Sequence, residues 1–508
     1  KLMKLGVNWI IGLLKSKTQN AFIASSIEAM ELFQVVIDRQ VQLCEAAKEN
    51  AGEKRKAELN RMIADLRHIR NQKPETFTQA LQLFWLYAWC AGFINYGRMD
   101  IVLGPYLKND IDAGYMTEED GYRYLKSLWK MIENRRTTVN GRIIVGGQGR
   151  ENVEACDLFT KICLRVCKDT RYVEPQFTLR FDKTTDPEIL DMAYECIASG
   201  ATYPTLYNDD VNVPAVQYGM RVGREIAEQY VPFGCGEFVI QGKSVGTPNT
   251  LLNLLKILQI SLNEGIDPMD GVYKAGPVKL KHVRTMETFE EVFNQYKRLL
   301  DYYCDLSVHD QAYSYEVMNR EVSFLFTSIL MDDCITREKA LLDGGVEILG
   351  GTNETYGNIN TSDSLYAIKK LVFEDKKYTL EEITAAALHD YVGYEKIRKD
   401  LLAVAKYGND IAEVDEMADA CYQYVAKAIR NRGIEYGLGY YLIVISNNQT
   451  NTDWGKQTAA SYDGRKSGVF MNPANNPQGG ASKNGPTACL NSLAKFDAKY
   501  HGGSVQNI

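Results

Sequence analysis

The residues best suited to chemistry lie in the segment Val231-Pro-Phe-Gly-Cys-Gly-Glu-Phe-Val239. Cys235 stands between two glycines, and Glu237 follows two positions later. In an extended backbone, residues i and i+2 share a face, so a thiol and a carboxyl are expected to face one pocket. The flanking glycines permit backbone angles and close approaches that suit a loop tip. With no Lys or Arg beside it in sequence, the thiol is expected to stay neutral. A buried Glu237 is expected to hold its proton more tightly than usual and so to act as an acid. Thr247 and Asn249 are candidates to orient a polar substrate. They read equally well as simple helix capping: Thr247-Pro248 has the form of an N-cap followed by Pro at the first helical position. An apolar helix over 249–263, ending at Gly265, is expected to follow.

By itself a Gly-Cys-Gly-Glu tetrapeptide fits a buried structural cysteine more readily than a reactive one. Nucleophilic catalysis normally needs a partner base. The five histidines (His68, His282, His309, His389 and His501) are far from Cys235 in sequence and sit in no motif. No zinc-ligand spacing occurs, so no metal site is expected. Gly146-Gly-Gln-Gly149 lacks the lysine and register of a phosphate cradle. Cys163 and Cys167 lie four apart with no third cysteine at iron–sulfur spacing, and read as small apolar residues on a helix face.

The elements that must hold the pair alternate. Helical periodicity runs over about 20–72. Lys73-Pro74-Glu75 breaks it, and Thr76-x-x-Gln79 has the spacing of a capping box. Helices are expected at 117–135, 152–168 and 185–199, with a strand at 173–182 where Phe177, Leu179 and Phe181 alternate with polar residues. The alternation of helix and strand predicts an α/β architecture in one large domain. The run from Phe84 to Ile94 is too short to cross a bilayer and is expected to be a core helix. The 508 residues carry 58 basic and 65 acidic side chains, a net charge of −7 that gives no general attraction to nucleic acid. Eleven irregularly spaced cysteines and no signal-peptide pattern predict reduced thiols in a cytoplasm. The chain opens at Lys1, not Met, inside a helical pattern, and is expected to be a trimmed piece.

Taken in order, the motifs resemble the glycyl radical enzymes, the superfamily of pyruvate formate-lyase and the glycerol and diol dehydratases. The resemblance rests on Gly97-Arg-Met-Asp100, Gly104-Pro-Tyr106 and Asp110, and on Pro175-Gln-Phe-Thr-Leu-Arg180. It continues through Tyr203-Pro, Asn208-Asp-Asp210 and Pro214, and through the Gly-Cys-x-Glu loop. Gly344-Gly345, Asp363-Ser-Leu365 and Ala367 to Glu374 follow. Lys406-Tyr-Gly-Asn-Asp410, Asp463-Gly-Arg465, Gly485-Pro-Thr-Ala488 and Asn491-Ser-Leu-Ala-Lys495 complete it. It covers roughly 20–507.

The resemblance implies a ten-stranded α/β barrel, incomplete at both ends, with helices outside and the Cys loop threaded through its middle. It implies one barrel domain over 1–508, with a helical segment at 20–95 preceding the strands and no C-terminal glycyl radical domain in this chain. It also implies that a glycyl radical outside the chain oxidises Cys235 to a thiyl, which takes hydrogen from a diol, polyol or amino alcohol while Glu237 acts as general acid and base. A separate activating enzyme using S-adenosylmethionine would install the radical, and the protein would be a homodimer in an anoxic cytoplasm. Two alternatives remain: a formate acetyltransferase, which would want two adjacent cysteines where glycines flank Cys235, and a non-catalytic piece that binds a radical-bearing subunit.

Overall fold

The structure, a computed structural model, describes residues 1–136, 141–246, 248–322 and 324–507. Four parallel strands, β1 (Asn95–Arg98), β2 (Arg142–Gly146), β3 (Phe177–Phe181) and β4 (Thr205–Asn208), form one sheet in chain order. An antiparallel hairpin follows, β5 (Tyr230–Phe233) and β6 (Glu237–Ile240). A second parallel sheet holds β7 (Thr250–Asn253), β8 (Gly351–Tyr356), β9 (Tyr441–Ile445) and β10 (His501–Ser504), again in chain order. Parallel neighbours need crossovers, and helices supply them. Val153–Thr170 links β2 to β3, Pro187–Ala198 links β3 to β4, and Phe289–Glu321 lies between β7 and β8. Tyr441-Leu-Ile-Val-Ile445 is buried at every position, as a strand covered on both faces must be. Among the described residues the two walls hold eight strands and the hairpin holds two.

Each sheet has its own core. Ile143, Val145, Phe177 and Leu179 pack under helices such as Glu118–Asn134, whose Trp129 meets Phe177 edge-on with ring centres 5.8 Å apart. Ile443 and Ile445 pack against helix Ala412–Glu435 through Val425 and Ile429. The hairpin lies between the walls. Val231 and Val239 lean on Ile144 of β2, whereas Tyr230, Phe238 and Ile240 lean on Leu442 of β9. The period-two alternation of a strand lets one ribbon serve both walls.

The walls run in opposite directions past the hairpin. Its tip lies beside Arg142, the first residue of β2, and beside Val505, just beyond the end of β10. Its base is tied to the other end of β2, where Arg98 donates to the carbonyls of Gly146 and Glu228, each at 2.9 Å. A fully buried ion pair fixes that base. Arg180 donates to both oxygens of Asp209 (3.0 and 2.7 Å) and to the Tyr230 carbonyl (2.7 Å), with its guanidinium 3.9 Å from the centre of the Tyr230 ring. The Tyr230 hydroxyl closes the network on Asp209 at 2.8 Å.

Most expected helices are found: Ala21–Lys48 and Glu53–Ile69, Glu118–Asn134, Val153–Thr170 and Pro187–Ala198. Of the run from Phe84 to Ile94, only Phe84–Cys90 lies in helix Phe77–Cys90, and no helix among the described residues is long and apolar enough to cross a membrane. Thr76 caps that helix by accepting from Gln79 N–H, but the Gln79 side chain reaches Glu75 N–H rather than closing the box on Thr76. The helix expected over 249–263 is corrected. Thr250–Asn253 pairs with Asn353–Tyr356 as strand β7, and the helix begins only at Leu254. Asn253 is its true cap, accepting from Lys256 N–H at 3.0 Å. A short apolar run suits either element, and here pairing with β8 decides it.

Candidate active site

Cys235 occupies the tip of the hairpin, half-buried, in a three-residue loop closed by Gly236 N–H donating to the Phe233 carbonyl at 2.7 Å. The expectation that Cys235 and Glu237 share a face of an extended strand is corrected. Glu237 is the first residue of β6, paired with Phe233, while Gly234 (φ +51°) and Gly236 (φ +116°) turn the chain between them. The carboxyl folds back under the tip: a Cβ on Gly234 would lie 2.8 Å from Glu237 Oε2. The hairpin turn, not the pleat, brings acid and thiol together. Gly236 is confined too, since a Cβ there would lie 2.7 Å from the Tyr207 hydroxyl. A Cβ on Gly503 of β10 would strike the Gly236 carbonyl at 2.1 Å.

Arg142 fastens the tip. Its guanidinium donates to the Gly234 carbonyl (2.6 Å), to Thr178 Oγ1 (2.7 Å) and to Gln176 Oε1 (3.1 Å). The second wall contributes Glu354 and Tyr356 of β8 and Asn448, which lies just beyond β9. Asn249 joins the two carboxyls: its Nδ2 donates to Glu237 Oε1 and to Glu354 Oε1, each at 3.0 Å. Thr352 Oγ1 donates to Asn249 Oδ1 at 2.7 Å, which sets the amide with its N–H groups toward the acids. An amide presents its two N–H bonds about 120° apart, so the two carboxylate oxygens lie about 5 Å from one another. The Tyr356 hydroxyl also donates to Glu354 Oε2, and Asn448 Nδ2 reaches the same oxygen at 3.3 Å.

Burial pushes the Cys235 thiol up to about 12, and the Glu237 and Glu354 carboxyls add to it. Arg142 and the Asn448 amide only partly oppose them. Burial likewise pushes Glu237 up to about 7. Backbone hydrogen bonding lowers it, Glu354 raises it further, and Arg142 and Asn249 pull it back. The outcome is a thiol that keeps its proton at physiological pH beside an acid poised to give or take one. Such a thiol is a poor nucleophile or metal ligand but has an S–H bond available for hydrogen-atom exchange.

Of the residues singled out from sequence, Cys235, Glu237 and Asn249 are brought together. Thr247 lies outside the described residues. Asn249 caps no helix and instead bridges the acids. Arg142, Tyr207, Glu354, Tyr356 and Asn448 escaped sequence reasoning because they come from strands, or in the case of Asn448 a strand end, far apart in sequence from the Cys235 loop. The clue for Glu354 was a single charged residue inside an otherwise uncharged strand, Gly351-Thr-Asn-Glu-Thr-Tyr356. His501 lies behind the hairpin, packed edge-on against Phe238 at 5.2 Å, and burial pushes it down to about 4. Among the described residues no cluster of His, Cys, Asp and Glu is arranged to hold a metal. All eleven cysteines are free. Cys163 and Cys167 are buried on their helix, as expected of apolar positions.

The family model described as pyruvate formate lyase-like matches residues 1–451. A (2S)-3-sulfopropanediol dehydratase from Klebsiella oxytoca is 29% identical over 96% of this chain and 62% of its own length. A trans-4-hydroxy-L-proline dehydratase from Clostridioides difficile is 26% identical over 91% of this chain and 61% of its own. The chain thus spans a little over three-fifths of these relatives. The glycerol-bound structure of the B12-independent glycerol dehydratase from Clostridium butyricum superposes with a TM-score of 0.89 at 26% identity, over 99% of this chain and 67% of that one.

Proposed function

The chain belongs to the pyruvate formate lyase-like family, and from that premise we propose that it is the barrel of a glycyl radical dehydratase or lyase acting on a small polar substrate. The observation that carries this reading is the protonated, half-buried thiol of Cys235 at the hairpin tip, with Glu237 poised near neutrality beside it. A glycyl radical, installed by a separate S-adenosylmethionine-dependent activating enzyme, would supply the unpaired electron. The chemistry at the tip suits such a partner: a neutral thiol has an S–H bond to exchange, and no side chain at Gly234 or Gly236 flanks it.

In this reading Cys235, as a thiyl, takes one hydrogen atom from the carbon bearing a substrate hydroxyl and becomes a thiol. Glu237 accepts the proton of that hydroxyl and protonates the group leaving the adjacent carbon, so the C–O or C–N bond breaks with water or amine released. Cys235 then returns its hydrogen atom to the product carbon, and the cycle closes with no net oxidation. Arg142 and the flanking glycines hold the loop that carries the sulfur in place. The diol and hydroxyproline substrates in the names of the relatives support the substrate class.

The test is Cys235→Ala in the activated full gene product. Turnover is expected to vanish while the glycyl signal in electron paramagnetic resonance persists. Unchanged turnover would remove the reading.

A further inference from the structure

The electrostatics around the thiol are one-sided. Two carboxyls, Glu237 and Glu354, are held about 5 Å apart by one amide. Among the described residues neither makes an ion pair with a Lys, Arg or His. The partners of Glu354 are neutral donors: Asn249, Asn448 and the Tyr356 hydroxyl. Arg142, at the tip, gives its two terminal nitrogens to the Gly234 carbonyl, Thr178 and Gln176, and only its buried Nε is without a partner among the described residues. One oxygen of the acid pair is unused: Glu237 Oε2 is buried beneath the tip and has no hydrogen-bond partner among the described residues. A buried carboxylate oxygen without a donor is costly unless a ligand supplies one.

We infer that Glu354, paired with Glu237 across the Asn249 amide, selects a substrate carrying an ammonium group next to its reacting hydroxyl: a protonated amino alcohol rather than a neutral diol or an anion. An ammonium has three N–H donors and no acceptor. It can bridge two oxygens about 5 Å apart with two ordinary hydrogen bonds, and its charge balances the acids. A neutral hydroxyl makes one such bond and leaves the charge uncompensated. A sulfonate or carboxylate at the same place would meet two acids that no cation pairs with among the described residues. Glu354 is thus a specificity-determining residue. The inference rests on the proposed dehydratase or lyase reading for what happens after binding, but the binding preference itself needs no radical.

The experiment uses the full gene product without activation and three probes of the form HO–CH2–CH2–X: ethanolamine, ethylene glycol and isethionate. Calorimetry at pH 7.5 is expected to show ethanolamine binding at least about tenfold tighter than ethylene glycol, with isethionate weakest. Glu354→Gln is expected to lose about tenfold for ethanolamine and little for ethylene glycol, whereas Glu354→Asp keeps the order of preference. Equal binding of the three probes, no measurable ethanolamine binding, or a preference that survives Glu354→Gln would overturn the inference. The wild-type series decides by itself if the variants do not fold. Cys235→Ala separates the two readings: it should keep the binding order, whatever it does to turnover.

Discussion

Because Glu237 gains its proton affinity from the fold, its replacement should change how stability depends on pH. Its ordinary value is 4.5, and in the folded chain it is raised to about 7. Between those values the unfolded chain has lost this proton while the folded chain keeps it. Stability therefore falls as pH rises through this window. Two and a half pH units at 1.36 kcal/mol each amount to about 3 kcal/mol, lost between pH 4.5 and pH 7. Glu237→Gln is close in shape to the protonated acid and does not titrate. It carries a pH-independent cost of its own, because an amide N–H at the Oε2 position finds no acceptor, so the informative quantity is the gap between the two proteins. For 508 residues unfolding in one cooperative step, about 3 kcal/mol corresponds to a Tm difference of about 3 °C. Scanning calorimetry of both proteins from pH 4.5 to pH 8 should show the variant gaining about 3 °C on the wild type across the range. Other buried acids, such as Asp363, which burial raises to about 7, contribute equally to both proteins and cancel. Parallel curves would refute the argument that Glu237 holds its proton near neutrality.

Other expected outcomes follow from the anchoring of the hairpin. Arg180→Met leaves Asp209 buried without its cation, and about 3–5 kcal/mol of stability should be lost in calorimetry. The double change with Asp209→Leu should recover part of that loss. Gly236→Ala places a methyl 2.7 Å from the Tyr207 hydroxyl at a φ of +116°, and turnover of the activated enzyme should fall by at least about tenfold, with Tyr207→Phe restoring little because the backbone strain remains. Thr352→Val removes the donor that sets the Asn249 amide. Binding of ethanolamine should weaken by about fivefold while the fold, read by circular dichroism, is unchanged.

What the sequence made legible was the chemistry of one segment. The thiol and the acid two residues on were visible in Gly-Cys-Gly-Glu because nothing separates them along the chain. How they meet was not visible. The i, i+2 argument assumes an extended strand, and the positive φ at Gly234 and Gly236 replaces the strand with a turn. Asn249 was found for a polar role, but its partner Glu354 lies 105 positions away and is marked by no motif. The walls were legible at Phe177–Phe181, where apolar and polar residues alternate. They were not legible at Thr250–Asn253, where four residues carry too little periodicity to distinguish strand from helix. Arg142 shows a further limit. The thiol was expected to be neutral for want of a neighbouring cation in sequence. A cation does stand nearby in space, but burial and two carboxyls outweigh it.

The ribbon wedged between the two walls divides the labour of the site. Sulfur and Glu237 travel on one hairpin, so their spacing is a property of that cartridge and survives any small slip of one wall against the other. Glu354 is mounted on the wall itself, through β8. A slip of that wall would therefore alter which molecule is gripped without detuning the atoms that react with it, leaving recognition free to vary around a fixed reactive unit.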